Sequence, residues 1–266
     1  KVVVAGAGAS AIACANHYVA LGVKIENIVM CDSKGIMTKN RLSEGELNEF
    51  KAPFAVDGKE GDLADALVGA DVLLGLSRGG LVTGEMVAKM AEKPIIFALA
   101  NPTPEIMPYE VKEVRNDAII ATGRSDFSNQ VNNVLGFPYI FRGALDVRAK
   151  EINEDMKVAA AKAIALLARE NVPDEVVSAY GGDRPRFGKD YIIPSTFDPR
   201  LISVIPAAVA KAAMKSGVAR KKIEDFDAYK DQLTNRLDPS MSIMQGINAK
   251  VRKNPKRVIF AEGEDE

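Results

Sequence analysis

A glycine-rich turn near the start of the chain constrains the fold more than any other feature of the sequence. The apolar run Val2–Ala5 leads directly into Gly6-Ala7-Gly8-Ala9-Ser10-Ala11, and a helical pattern continues to Leu21. A strand that turns sharply into a helix has this G-x-G-x-x-A spacing, with alanine at the third glycine position. The spacing therefore predicts an α/β fold that begins at this strand.

Apolar runs and helical patterns alternate over the first half of the chain. The predicted strands are Val2–Ala5, Asn27–Asp32, Asp71–Leu76, Pro94–Leu99 and Asp117–Thr122. The predicted helices lie near Ala9–Leu21, Gly61–Val68, Thr83–Glu92 and Pro108–Val114. This alternation is typical of a doubly wound, mainly parallel, Rossmann-like sheet with helices on both faces.

The second half predicts a helical C-terminal extension. An irregular amphipathic segment covers Ala144–Asn153, a helical stripe covers Glu154–Glu170, and Pro206 and Gly217 are expected to begin and end another helix. The glycine-rich stretch Gly181–Asp190 is expected to be an exposed loop. We predict one domain over residues 1–237, a linker over 238–255 and the start of another domain over 256–266. Because the chain opens inside an apolar strand, we expect it to be a fragment.

Composition and charge exclude several kinds of partner. The 35 Lys and Arg balance 36 Asp and Glu, for a net charge of -1, so we expect neither a nucleic acid nor an anionic membrane surface as a partner. No run of about 18 apolar residues predicts a membrane span. The two cysteines, Cys14 and Cys31, lie in apolar surroundings without metal-ligand spacing. They indicate buried, reduced thiols in a cytoplasmic protein.

The glycine turn also predicts a dinucleotide site, with a purely structural turn as the alternative. Gly6 would permit the tight turn, Gly8 would let a pyrophosphate approach, and the helix N-terminus would offer N–H groups to it. Asp32, at the end of the second predicted strand, is expected on the adenosine ribose and favours NAD+. The hydroxyl of Ser33 and the ammonium groups of Lys34 and Lys51 suit a 2′-phosphate, or belong to solvated surface residues. The residues alone leave the cofactor open.

Two asparagines follow predicted strands on the side of the sheet where ligands bind. Asn101 precedes Pro102, and Asn132 lies in the run Gln130-Val131-Asn132-Asn133. Their amides suit a ligand, and the alternative for each is an ordinary turn or cap. His17 is expected to be a packing or surface residue, and exposed faces account for Asp62, Asp65, Glu105 and Glu110. We recognise no acid–base pair, no catalytic residue and no metal ligand in this chain.

Several longer motifs together resemble the nucleotide-binding domain of bacterial malic enzymes. The tail Lys256–Glu266 resembles the first strand of a phosphotransacetylase-type domain, which points to the hybrid malic enzymes that carry such a domain. The resemblance to malic enzymes covers roughly residues 1–237. It rests on Gly6–Ala15, Cys31–Gly35, Ala98–Pro104, Ala121–Asp126, Asn129–Val134 and Phe137–Asp146.

The resemblance implies oxidative decarboxylation of L-malate to pyruvate and CO2 with NADP+, or NAD+ as the alternative. It implies a divalent metal ion, Mg2+ or Mn2+, whose ligands lie upstream with the catalytic residues, so that this chain alone is inactive. It also implies a cytoplasmic homo-oligomer. Asn101 and Asn132 match family asparagines that face the nicotinamide and malate. The cofactor-binding residues that it implies are Gly6, Gly8, Ala9, Ser10, Ala11, Asp32, Ser33, Lys34, Lys51 and Asn101.

Two other functions compete with this one. The first is another NAD(P)-dependent dehydrogenase, such as an amino-acid dehydrogenase, which would release no CO2 and pyruvate from malate. The second is a non-catalytic regulatory module, which would bind the dinucleotide without turnover even with the upstream region restored.

Overall fold

Five runs of small aliphatic residues pair in parallel to build the centre of the molecule. The computed structural model describes residues 1–58, 60–179 and 184–237. Its strands are Val2–Ala5 (β1), Ile28–Asp32 (β2), Gly35–Ile36 (β3), Val72–Gly75 (β4), Ile95–Ala98 (β5) and Ile119–Thr122 (β6). They form one sheet in the order β3-β2-β1-β4-β5-β6, in which β3 is antiparallel to β2 and every other pair is parallel. All four residues of β1 are buried, as expected for a strand covered on both faces.

Helices connect the strands and continue after the sheet ends. They are Ala9–Ala20 (α1), Lys39–Ser43 (α2), Leu63–Leu67 (α3), Gly84–Ala88 (α4), Pro108–Val114 (α5), Phe137–Asp146 (α6), Glu154–Leu167 (α7), Asp174–Ala179 (α8), Leu201–Lys215 (α9) and Phe226–Leu237 (α10). Short 3-10 turns cover Ile25–Asn27, Ala52–Phe54 and Asn133–Leu135. The acids Asp62 and Asp65 form a capping box at α3, in which each carboxylate accepts the other's backbone N–H, at 3.0 and 3.1 Å.

Two apolar clusters cover the two faces of the sheet. Val3 and Leu73 belong to a cluster that also contains Val87 of α4 and Val111 of α5. The alternate residue Val4 belongs to the opposite cluster, with Met30 of β2, Leu74 of β4, and Ala11 and Ala15 of α1. This alternation along β1 and β4 confirms the predicted doubly wound α/β architecture.

The helical extension has a core of its own, in which α6, α7 and α9 pack together and α10 joins α9. One prediction here was wrong: the helix predicted to begin at Pro206 begins at Leu201, with Pro206 buried in its interior. The segment predicted to be irregular over Ala144–Asn153 is helical only to Asp146, where α6 ends. Helices α6 and α9 approach closely, since a Cβ on Gly143 would lie 2.6 Å from the Pro206 carbonyl oxygen.

The predicted strands agree with β1, β2, β4, β5 and β6 to within two residues. The short strand β3 was not predicted. No helix in the described part of the chain is both long and apolar enough to cross a bilayer. The predicted linker over 238–255 and the predicted new domain over 256–266 lie outside the described residues.

Candidate nucleotide-binding site

A cavity of about 790 Å³ opens at the carboxyl ends of β1, β2 and β4. The chain leaves β1 toward β2 on one side and later returns to β4 on the other, so the cavity lies where the strand order reverses. Ligands of open α/β sheets bind at this position, and the volume is in the range of cofactor sites. The lining residues are Ala5, Gly6, Ala7, Gly8, Cys31, Asp32, Ser33, Lys34, Gly35, Lys51, Asp62, Leu63, Ala64, Leu76, Ser77, Arg78, Leu81 and Met86.

The glycine turn forms the floor of this cavity. Gly6 has φ of +123°, and a Cβ there would lie 2.5 Å from the Leu76 carbonyl oxygen, so glycine is required by both conformation and space. Gly8 is the N-cap of α1, and a Cβ on it would meet no heavy atom within 4 Å. No side chain caps this helix, and no acid lies in its first turn. Its first N–H groups and the open space beside Gly8 therefore fit the phosphates of a dinucleotide.

The predicted residues of the turn divide into two groups. Gly6 and Gly8 line the cavity, whereas Ala9, Ser10 and Ala11 form the first turn of α1 and do not line it. Ala11 is buried in the cluster beneath α1, which agrees with its expected role of close helix packing. Side-chain contact with a ligand is thus not expected from these three residues.

Asp32 lines the cavity with its carboxylate already paired. Arg41, whose side chain is 7% exposed, donates from Nη1 to Oδ1 at 3.0 Å and from Nη2 to Oδ2 at 2.8 Å. The Lys34 N–H donates to the same Oδ1 at 2.9 Å. Burial by itself raises the pKa of Asp32, but these donors hold that pKa below its ordinary value. Asp32 is therefore an ionised carboxylate with its charge balanced by a buried guanidinium.

A second acid extends this pairing across the rim of the cavity. Glu46 Oε2 accepts from Arg41 Nε at 2.9 Å, and Glu46 Oε1 accepts from Lys34 Nζ at 2.7 Å. Asp32, Arg41, Glu46 and Lys34 thus form a row of alternating charge with no net charge. Lys51 also lines the cavity and forms no ion pair with any described residue. Outside this row, the charged side chains that line the cavity are Lys51, Arg78 and Asp62.

Arg41 and Glu46 were missed by sequence reasoning. Arg41 lies nine positions beyond Asp32 in a short helix, α2, and its burial depends on tertiary contacts with the Gly35 and Ile36 carbonyl oxygens at 3.3 and 3.1 Å. No local pattern marks such a residue.

The structure places the two predicted asparagines away from the lining of the cavity. The Asn101 amide lies over the turn after β6, since a Cβ on Gly123 would lie 3.2 Å from its Nδ2. Asn132 accepts the Val134 N–H at 3.0 Å and caps the following 3-10 turn. Both side chains are exposed near the carboxyl end of β6. In this structure Asn132 acts as a cap, and neither amide contacts the residues of the glycine turn.

Glu105 was expected to be exposed, and that prediction was wrong. It is fully buried, and its carboxylate accepts the Ser77 N–H at 2.9 Å and the Ala100 N–H at 3.0 Å. Gly75 makes room for it, because a Cβ there would lie 2.5 Å from the carboxyl carbon. Glu105 therefore ties the cavity loop after β4 to the loop after β5.

The remaining side chains that could carry chemistry are the two cysteines and the histidine. Burial raises the pKa of the Cys31 thiol to about 12, while Cys14, expected to be buried, is only partly so. His17 Nδ1 lies 2.7 Å from Glu154 Oε1 and joins α1 to α7. Across residues 1–58, 60–179 and 184–237 no three His, Cys, Asp or Glu side chains are grouped as metal ligands would be.

The strand order, the glycine turn and the cavity at the switch point define an α/β domain of the dinucleotide-binding class. The family model described as malic enzyme, NAD binding domain, matches residues 1–178. The chain belongs to the malic enzyme family.

Curated relatives match the chain along its whole length. It is 60% identical over 265 residues to the NADP-dependent malic enzyme of Rhizobium meliloti and 56% identical over 267 residues to that of Escherichia coli. It is also 55% identical to an NAD-dependent malic enzyme of Rhizobium meliloti. In each case all of this chain is covered, with 35%, 35% and 34% of the relative. The chain thus spans about a third of the length of these relatives.

Solved structures agree with this assignment. The malic enzyme of Pyrococcus horikoshii superposes with a TM-score of 0.77 at 36% identity, over 95% of this chain and 56% of that one. The malic enzyme of Entamoeba histolytica gives 0.76 at 36% identity, over 98% of this chain and 51% of that one.

Proposed function

We propose that this chain is the cofactor-binding part of an enzyme that oxidatively decarboxylates L-malate to pyruvate and CO2 with reduction of NADP+. The observation that carries the proposal is the cavity at the switch point, built on a glycine turn, in a member of the malic enzyme family. When NADP+ is bound, its nicotinamide would accept the hydride from C2 of malate. The residues of this chain bind and orient that cofactor.

We assign the pyrophosphate to the turn at Gly6 and Gly8 and to the first N–H groups of α1, with Ala9, Ser10 and Ala11 contributing through their backbone. The open space next to Gly8 and the uncapped helix end support this assignment. The adenosine ribose is assigned to the cavity wall at Asp32. The residues of the turn do no chemistry, and they fix the position of the cofactor.

The electrostatics of the cavity support NADP+ over NAD+. An unpaired aspartate at the ribose would repel a 2′-phosphate, but Arg41 balances the charge of Asp32 at 2.8 Å. Lys51 and Ser33 line the same cavity and are assigned to the 2′-phosphate, together with Lys34 once its ion pair with Glu46 is broken. NAD+ is the alternative cofactor, because one relative at 55% identity is an NAD-dependent malic enzyme.

Asn101 and Asn132 are proposed to contact the nicotinamide and malate. Their exposure at the carboxyl end of β6 leaves both amides accessible to a ligand. For Asn132 this role requires its cap hydrogen bond to Val134 to be shared or broken. The Mg2+ or Mn2+ ion that the family resemblance implies is assigned to residues outside this chain.

The same resemblance supports a cytoplasmic homo-oligomer of the hybrid type, in which residues 256–266 begin a phosphotransacetylase-like domain and residues 1–237 form the cofactor domain. The compartment, the oligomeric state and the domain arrangement are proposals about the whole polypeptide. A size measurement on a protein with the full length of its relatives tests the oligomer.

The activity is tested on a protein of the relatives' full length that contains this chain. We expect NADPH, pyruvate and CO2 in equal amounts from L-malate, NADP+ and Mn2+, and we expect Lys51→Ala to raise the KM for NADP+ with little change in the KM for NAD+. NADPH formation without release of CO2 would indicate a different dehydrogenase. Nucleotide binding without any turnover of malate would indicate a regulatory module and refute the proposal.

A further inference from the structure

The ammonium group of Lys34 is held away from the cavity by an acid on the neighbouring segment. Lys34 lines both the large cavity and an adjoining hollow of about 250 Å³. The hollow is also lined by three acids, Glu44, Glu46 and Glu60, and Lys34 Nζ pairs with Glu46 Oε1 at 2.7 Å. The lysine stem therefore lies beside the proposed 2′-phosphate position, while its charge is directed to the acidic hollow.

Glu46 is itself held in position by a second cation. Its Oε2 accepts from Arg41 Nε at 2.9 Å, and Arg41 is fixed in turn by its two hydrogen bonds to Asp32. The carboxylate is therefore placed by a buried side chain, so its contact with Lys34 is more than an encounter of two mobile surface groups. A 2′-phosphate and Glu46 are both anions, and they compete for the same ammonium group.

We propose that Glu46 is a positioning residue that sets cofactor preference, because its ion pair with Lys34 limits the advantage of a 2′-phosphorylated dinucleotide over an unphosphorylated one. The inference rests on the proposed cofactor function. Glu46 would act on this preference through Lys34, without contact with either nucleotide. Loss of the Glu46 charge frees Lys34 for the phosphate and leaves the Asp32–Arg41 pair in place.

The test uses two nucleotide fragments that differ only at the 2′ position. This chain and the variant Glu46→Gln are titrated by calorimetry with adenosine 2′,5′-bisphosphate and with adenosine 5′-monophosphate. We expect Glu46→Gln to raise the affinity ratio of the two fragments about 3- to 10-fold, the range of one modest charge-assisted contact. The affinity for the monophosphate should be unchanged. Circular dichroism confirms that this partly exposed substitution leaves the fold intact.

Two further variants test whether the effect of Glu46 on cofactor preference acts through Lys34. Glu44→Gln is the matched control, since Glu44 lines the same hollow and makes no ion pair among the described residues. It removes the same charge, and we expect a change below about twofold because the charge is solvated and screened. In the double variant with Lys34→Gln, the gain from Glu46→Gln should vanish.

An unchanged or lower ratio in Glu46→Gln overturns the inference and leaves the proposed function intact. If Glu44→Gln raises the affinity ratio as much as Glu46→Gln does, or if the rise persists in the double variant without Lys34, the inference is overturned and a general charge effect explains the result. Failure of the folded wild-type chain to bind either fragment overturns the inference together with the proposed adenosine site.

Discussion

Replacing Glu105 by glutamine should destabilise this chain strongly, although the two side chains have nearly the same shape. The carboxylate is fully buried and accepts two backbone N–H groups, from Ser77 and Ala100, at 2.9 and 3.0 Å. An amide has one acceptor oxygen, so one of these donors would face an NH2 group without a partner. A hydrogen bond to a charged group contributes about 1.5–3 kcal/mol, and an orphaned buried donor costs about 1–3 kcal/mol.

We therefore expect Glu105→Gln to lower the free energy of unfolding by about 2–4 kcal/mol, a large part of the total for a domain. With an m-value near 3 kcal/mol/M, the urea midpoint should fall by about 1 M. The matched control is Glu110→Gln, in which an exposed carboxylate accepts a single N–H, from Met107 at 2.8 Å. That control should cost less than about 1 kcal/mol. If Glu105→Gln unfolds within about 0.5 kcal/mol of the wild type, the carboxylate does not hold the two loops together.

Three further predictions concern the cavity. Gly6→Ala should lower stability by about 2–4 kcal/mol and abolish nucleotide binding, because the strained φ of +123° adds to the clash with Leu76. Gly8→Ala should cost only about 1 kcal/mol, the usual loss for alanine at an N-cap, and should weaken binding by filling the open approach to the phosphates. Arg41→Gln should lower the preference for NADP+ over NAD+ by about tenfold in titrations, since Asp32 then repels the 2′-phosphate. Folding lowers the pKa of Asp32. Its ionised carboxylate therefore stabilises the fold above about pH 4, and this stabilisation is lost as the pH falls further. The urea midpoint of Asp32→Asn should consequently decline less steeply in acid than that of the wild type.

Each of these predictions has a result that contradicts it. A Gly6→Ala variant that unfolds like the wild type would show that the turn tolerates a side chain at this position. An unchanged cofactor preference in Arg41→Gln would show that Asp32 does not approach the 2′-phosphate. If the urea midpoints of Asp32→Asn and the wild type decline in parallel with falling pH, the pKa of Asp32 does not change on folding.

The parallel core was predictable because its strands are continuous apolar runs. Val2–Ala5 is buried on every residue, and a run of this kind has few alternatives to a strand that is covered on both faces. The strand β3 was not predictable in the same way. It consists of Gly35 and Ile36, and it exists through its antiparallel pairing with β2 and through the close approach of the Gly61 carbonyl to Gly35, where a Cβ would lie 2.2 Å away.

The candidate site was predictable where backbone shape decides it and hidden where tertiary contacts decide it. Gly6, Gly8 and Asp32 follow a local spacing, and all three line the cavity. The pairing of Asp32 with Arg41 spans nine positions and follows no repeating pattern. The burial of Glu105 depends on a contact with Ser77, 28 positions away. A charged residue in a loop is usually solvated, so exposure was the reasonable expectation for Glu105.

The most direct test of the cavity as a dinucleotide site is a calorimetric titration of this chain with NADP+ and then with NAD+, at low and at moderate salt. We predict preferential binding of NADP+ that weakens as salt rises, because ions screen the attraction between its 2′-phosphate and the lysine charges of the cavity. The absence of binding by either nucleotide to a folded sample would contradict the account and leave the glycine turn with a structural role alone.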